Sequence, residues 1–74
     1  MKMTIESTTK IVKADGVDCR VWEGTTARGI PVVALIPRVA VSDDGADLSE
    51  FLAELQEQRA PSAAAQAFAL YVIL

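Results

Sequence analysis

Arg20 and Trp22 stand two residues apart in residues 17–26, a stretch that alternates polar and apolar side chains. In an extended chain, side chains two apart share a face, so an indole and a guanidinium are presented together. Such a pair can stack on a nucleobase and hold a phosphate. It can equally anchor a protein partner, because aromatic and arginine side chains are enriched at interfaces. That enrichment favours the interface reading over the nucleotide one. Arg28 and Arg38 are the further cations that could converge with the pair on an anionic group.

Other chemistries find little support. The chain has no histidine, the commonest general base and metal ligand. Its single Cys19 falls between Val17 and Val21 on the opposite phase to Trp22, which predicts a buried small hydrophobe rather than a nucleophile. Asp43, Asp44 and Asp47 do not have the alternate-position spacing of a calcium loop and read as a solvated turn leading into a helix cap. Glu50, Glu54 and Glu57 are expected on a solvated helix face, where a desolvated general acid is out of place. The glycines Gly16, Gly24, Gly29 and Gly45 are dispersed and read as turn residues, not as a phosphate-binding loop. No serine has a base partner in the sequence pattern. These observations predict a protein without catalytic activity and without a cofactor or metal.

The elements that would present Arg20 and Trp22 follow from periodicity. Residues 3–13 alternate and are rich in β-branched side chains, with Met3, Ile5 and Ile11 on one face. Asp15-Gly16 is a two-residue hairpin signal, so residues 17–26 form a second, antiparallel strand. Ala27-Arg28-Gly29 predicts a short loop with Gly29 left-handed. A third strand is expected over residues 30–41, apolar on both faces from Val32 to Ile36, bent at Pro37 and resuming an inward face at Val39 and Val41. Asp47 caps a helix that carries Leu48, Phe51, Leu52 and Leu55 as one stripe and ends at Arg59, a cation suited to the last turn. Pro61 stops it. Ala63-Ala64-Ala65 favours helix intrinsically, and residues 67–74, almost all apolar, read as a fourth strand.

The expected fold is therefore α+β: a small antiparallel sheet in β-β-β-α-β order, one helix on one face, the other face in an oligomer interface. The chain has 74 residues, of which 51% are hydrophobic. A domain of this size hides only about 60% of the surface its unfolded chain exposes. One short helix cannot cover both faces, so a homo-oligomer is expected. Seven cations against ten carboxylates, a net charge of −3, argue against duplex nucleic acid as a partner. Neither apolar stretch reaches the ~20 residues of a spanning helix, and no apolar signal segment opens the chain. With one cysteine, the expected compartment is the cytoplasm.

The strings Val21-Trp22-Glu23-Gly24-Thr25-Thr26, Gly29-Ile30-Pro31-Val32 and Arg38-Val39-Ala40-Val41 resemble small orphan accessory proteins of tailed bacteriophages. The resemblance continues through Phe51, Glu54-Leu55, Ala60-Pro61-Ser62 and Ile73-Leu74, and covers about residues 20–74. It brings no functional residue with it. What it implies is context: a protein of the host cytoplasm that binds a host protein stoichiometrically, for example as an anti-defence inhibitor. The alternatives are an oligomer that sequesters a small anionic nucleotide through Arg20, Trp22 and Arg28 or Arg38, and a structural subunit of a phage particle.

Overall fold

In a computed structural model, which describes residues 1–43 and 47–67, three strands form an antiparallel meander: β1 (Met3–Ala14), β2 (Val17–Thr26) and β3 (Pro31–Ile36), in that order across the sheet. Two short helices follow, α1 (Leu48–Leu55) and α2 (Ala63–Gln66). The class is α+β, as the periodicity predicts. Residues 44–46 of the turn expected over residues 42–46, and the expected fourth strand beyond Ala67, lie outside the described residues. Ala67 itself closes α2 as its C-cap.

Both hairpins take the turns their residues dictate. Asp15 and Gly16 have φ of 50° and 80°, the pair of positive values that a two-residue loop needs to match strand twist. Gly29, at φ 82°, closes the second loop, its N–H donating to the Thr26 carbonyl at 2.9 Å. Gly24 is not at a turn. It sits inside β2 opposite Ile5, where a Cβ would collide with the Thr4 carbonyl oxygen and lie 2.8 Å from the Ile5 Cα. Its glycine identity answers a close backbone approach.

The β1–β2 register shifts between Ser7 and Ile11: Ser7 faces Trp22 and Ile11 faces Arg20, so three residues of β1 oppose Val21 alone. Thr8 sits at the centre of this bulge, fully buried, its Oγ1 donating to the Val21 carbonyl at 2.6 Å. Two extra residues preserve the alternation, so faces stay constant along both strands. Cys19, Val21 and Glu23 share one face with Thr8, and all four are buried. Arg20 and Trp22 share the other with Ser7 and Ile36.

Past α1 the chain forms a belt that wraps the free edge of β1 at the bulge. Arg59 pairs with Thr8 in parallel fashion, its N–H donating to the Ser7 carbonyl at 3.2 Å and its carbonyl accepting from the Thr9 N–H at 2.9 Å. Ala65 then lies fully buried. The Lys10 ammonium donates to the carbonyls of Ala65, at 3.2 Å, and Gln66, at 2.8 Å, which have no acceptor role within α2.

Two boundaries differ from expectation, each for a physical reason. The helix ends at Leu55, not at Arg59, because the β1 edge offers the next residues better partners. Ser7 Oγ donates to the Glu57 carbonyl at 2.8 Å, and Arg59 is drawn into the backbone ladder. Arg59 is thus no helix-dipole cation. Strand β3 stops at Ile36 because Pro37 has no N–H to continue the ladder, and Val39, 44% exposed, takes no inward position.

Candidate functional site

The inward face holds a polar cluster that the alternation of β2 implies but does not explain. Glu23 follows Cys19 and Val21 in phase and is 6% exposed. A carboxylate in that position needs partners, and the belt supplies them. Arg59 Nη1 donates to Oε1, the Ser62 N–H donates to the same oxygen at 2.8 Å, and Ser62 Oγ donates to Oε2 at 2.7 Å. Burial acts to raise the carboxyl's pKa, but the hydrogen bonds from Arg59 and Ser62, with the Arg59 charge behind them, outweigh it and hold the group below its usual value. Glu6, directly across from Glu23, adds a second carboxylate 3.9 Å from Arg59 Nε. This hydrogen-bonded cluster fastens the belt.

The opposite face carries the candidate site. Trp22, half-buried at the centre of β2, forms a wall shared by two adjoining clefts, together with Ser7 and Gln58. One cleft, of about 270 Å³, is lined by Arg20 and Arg38, with Ile36, Pro37 and Leu55 as apolar walls. The other, of about 300 Å³, is lined by Glu6, Glu54 and Glu57, with Arg59 between them. The first holds two guanidiniums and no carboxylate; the second holds three carboxylates and one guanidinium, already bonded to Glu23 and close to Glu6.

Of the four residues singled out in the sequence, three converge. Arg20, Trp22 and Arg38 line one cleft, because the antiparallel pairing of Arg20 with Ile36 places Arg38 two residues past that register point. Arg28 does not join them. It stands exposed in the β2–β3 loop, its N–H donating to Thr26 Oγ1 at 3.3 Å. Thr26 is six residues from Arg20 along one strand, about 20 Å at strand rise. Arg20 has a structural duty as well: its Nη1 donates to the Thr8 carbonyl at 2.9 Å, satisfying a backbone acceptor that the bulge removes from the ladder. Arg38 is exposed at the rim and lines the cleft directly.

Leu55 and Gln58 were not expected at the site. The helix stripe contains Leu55, but only the early end of α1 turns the chain so that Gln58 reaches the wall beside Trp22. The other candidates take the places their patterns indicate. Cys19 is buried, 4% exposed, with its Sγ 3.5 Å from the Val17 carbonyl. Asp47 caps α1, its Oδ1 accepting from Ser49 Oγ at 2.6 Å and from the N–H groups of Ser49, at 3.0 Å, and Glu50, at 3.2 Å. Those bonds, the Ser49 hydroxyl first, hold the Asp47 carboxyl below its usual pKa. Among the described residues, no helix is long and apolar enough to cross a membrane.

The chain matches no protein-family model, no curated protein and no solved structure. What the site can do is therefore read from its own residues. A half-buried indole between a cationic and an anionic cleft, walled by leucine, isoleucine and proline, is suited to gripping a surface of mixed charge.

Proposed function

We propose that the chain is a noncatalytic binding protein that docks a protein partner on the Trp22 face of the sheet. The observation that carries this reading is the convergence of Arg20, Trp22 and Arg38 in one cleft with apolar walls. Buried aromatic and arginine anchors dominate the energetics of protein interfaces. The resemblance to small phage accessory proteins supplies the setting. The partner would be a host protein held stoichiometrically, the process interference with a host defence, and the place the host cytoplasm. The working form would be a homo-oligomer, with the apolar end of the chain adding the fourth strand of a β-β-β-α-β fold. Exposed Leu48 and Leu52 on α1, at 55% and 56%, support association.

Affinity capture from host lysate with the parent chain, Trp22→Ala and Arg38→Ala tests the proposal. The expected result is a protein recovered in stoichiometric amount by the parent and lost with Trp22→Ala. Equal recovery by all three would refute the Trp22 face as the docking surface.

A second reading uses the same cleft for a small anionic nucleotide, with Trp22 stacked on the base and Arg20 and Arg38 on the phosphate. The adjacency of indole and two guanidiniums favours it. A nucleotide co-purifying with the parent and absent from Arg38→Ala would decide for this reading over the first. Recovery of virion proteins alone would instead support a structural subunit.

A further inference from the structure

The two clefts beside Trp22 carry opposite charge, and their order along the surface is cationic, indole, anionic. A half-turn about an axis lying in that surface at Trp22, perpendicular to the line joining the clefts, seats a second copy face to face with its anionic cleft over the cationic one and its cationic cleft over the anionic one. The surface is thus its own electrostatic complement, which is the requirement of an isologous two-fold interface. The geometry points to a second copy of this chain as the protein seated on this face, docked about that axis so that each Arg20–Arg38 cleft receives Glu54 and Glu57 of the other copy. This rests on the reading of the Trp22 face as a protein-docking surface and seats a second copy there in place of a host protein.

Two further observations favour a second copy over an unrelated protein. The match is one of sign: among the described residues the cationic cleft has two guanidiniums and no carboxylate, and the anionic cleft has three carboxylates and one guanidinium that is already bonded to Glu23. The described residues also offer apolar surface that a second copy could cover. Among the described residues the buried hydrophobic side chains are Cys19, Val21 and Ala65, while Ile11, Leu48 and Leu52 are each about half exposed. In this arrangement it is the two-copy assembly, not the single chain, that meets any further partner.

Charge reversal tests the pairing without knowledge of any ligand. Arg38 and Glu54 are both exposed, so Arg38→Glu and Glu54→Lys are expected to keep the fold, checked by circular dichroism. In sedimentation equilibrium at about 100 µM, where a micromolar dissociation constant leaves most chains paired, the parent should have twice the 7.9 kDa chain mass. Each single variant meets like charge at both symmetric contacts and should dimerise about tenfold or more weakly. An equimolar mixture of the two variants should recover dimer, and so should the double variant, because both restore opposite charges across the axis. A parent of single-chain mass would overturn the proposal. So would single variants that pair as the parent does, or a mixture and double variant that stay weak. If the charge variants fail in this way while Trp22→Ala still loses a captured protein, the second copy is wrong and the docking face stands. If the mixture recovers dimer while Trp22→Ala captures protein like the parent, the second copy stands and the docking of a host protein on this face falls.

Discussion

Removing the Glu23 carboxylate tests whether the belt is held as described. Three hydrogen bonds converge on this 6%-exposed group, one from Arg59 Nη1 and two from Ser62. A bond to a charged acceptor contributes about 1.5–3 kcal/mol net, and a neutral one about 0.5–1.5. In Glu23→Gln the amide oxygen keeps Arg59 and the Ser62 N–H, while the NH₂ group turns to Ser62 Oγ. That variant loses charge assistance but not geometry, at a cost of about 1–2 kcal/mol. Glu23→Ala loses all three bonds, partly offset because Ser62 is exposed and regains water and because no carboxylate need be buried; we expect about 2–3 kcal/mol. For a small domain that is a large share of the total. The sign of the pH dependence follows from the depressed pKa of Glu23. Its contribution is complete above the unfolded value, about 4.3, and is lost as pH falls through the folded value. The parent should therefore weaken as pH drops below about 5, and Glu23→Gln should weaken less steeply over the same range. Urea midpoints from pH 3 to pH 7, at one protein concentration, measure both effects. A Glu23→Gln protein with the parent's midpoint at pH 7 and the parent's slope in acid would refute this account of the cluster.

Gly24→Ala should prevent β1 and β2 from pairing, because the added methyl meets backbone rather than a movable side chain; a soluble variant with unchanged circular dichroism would contradict this. Asp47→Ala should lower the melting temperature while Asp43→Ala leaves it unchanged, since only Asp47 caps α1; equal shifts would misplace the cap. Arg20→Ala should lower the melting temperature as well as weaken binding, through the orphaned Thr8 carbonyl, whereas Arg38→Ala should affect binding alone. Parallel urea and capture measurements on the two variants separate these effects.

Local chemistry made most of the sheet legible. Asp15-Gly16 and Gly29 set both turns, and the alternation of residues 17–26 placed Cys19 and Val21 on the face opposite Arg20 and Trp22, as observed. The Asp47 cap was readable for the same reason, since its bonds span two and three residues. What escaped was non-local. The end of α1 depends on the Ser7 carbonyl and the Thr9 N–H, fifty or more residues away in sequence. Sequence gives no sign of the bulge that exposes those groups, because two inserted residues leave the alternation intact. Glu23 did leave a signal: a carboxylate in the phase of Cys19 and Val21 announces a buried partner, though not which one. At the site, Arg20, Trp22 and Arg38 were legible as chemistry, and only the antiparallel register selects Arg38 over Arg28.

The belt also has a consequence for the growing chain. The meander closes through loops of two and four residues, whereas the belt's bonds span 36 residues between Glu23 and Arg59 and 56 between Lys10 and Gln66. Short loops close first, and contacts of high sequence separation come late. At about 5–20 residues per second, the ribosome needs roughly 2–8 s to pass from Glu23 to Ser62. For that interval the hairpins can exist with the β1 edge unsealed and the Cys19–Val21 face bare. An open strand edge beside an apolar face invites pairing with another nascent chain. Glu23 then stands on the inward face before Arg59 has been made, and an unpaired inward charge opposes such pairing. The carboxylate that later fastens the belt would first act as a gatekeeper of the half-made sheet.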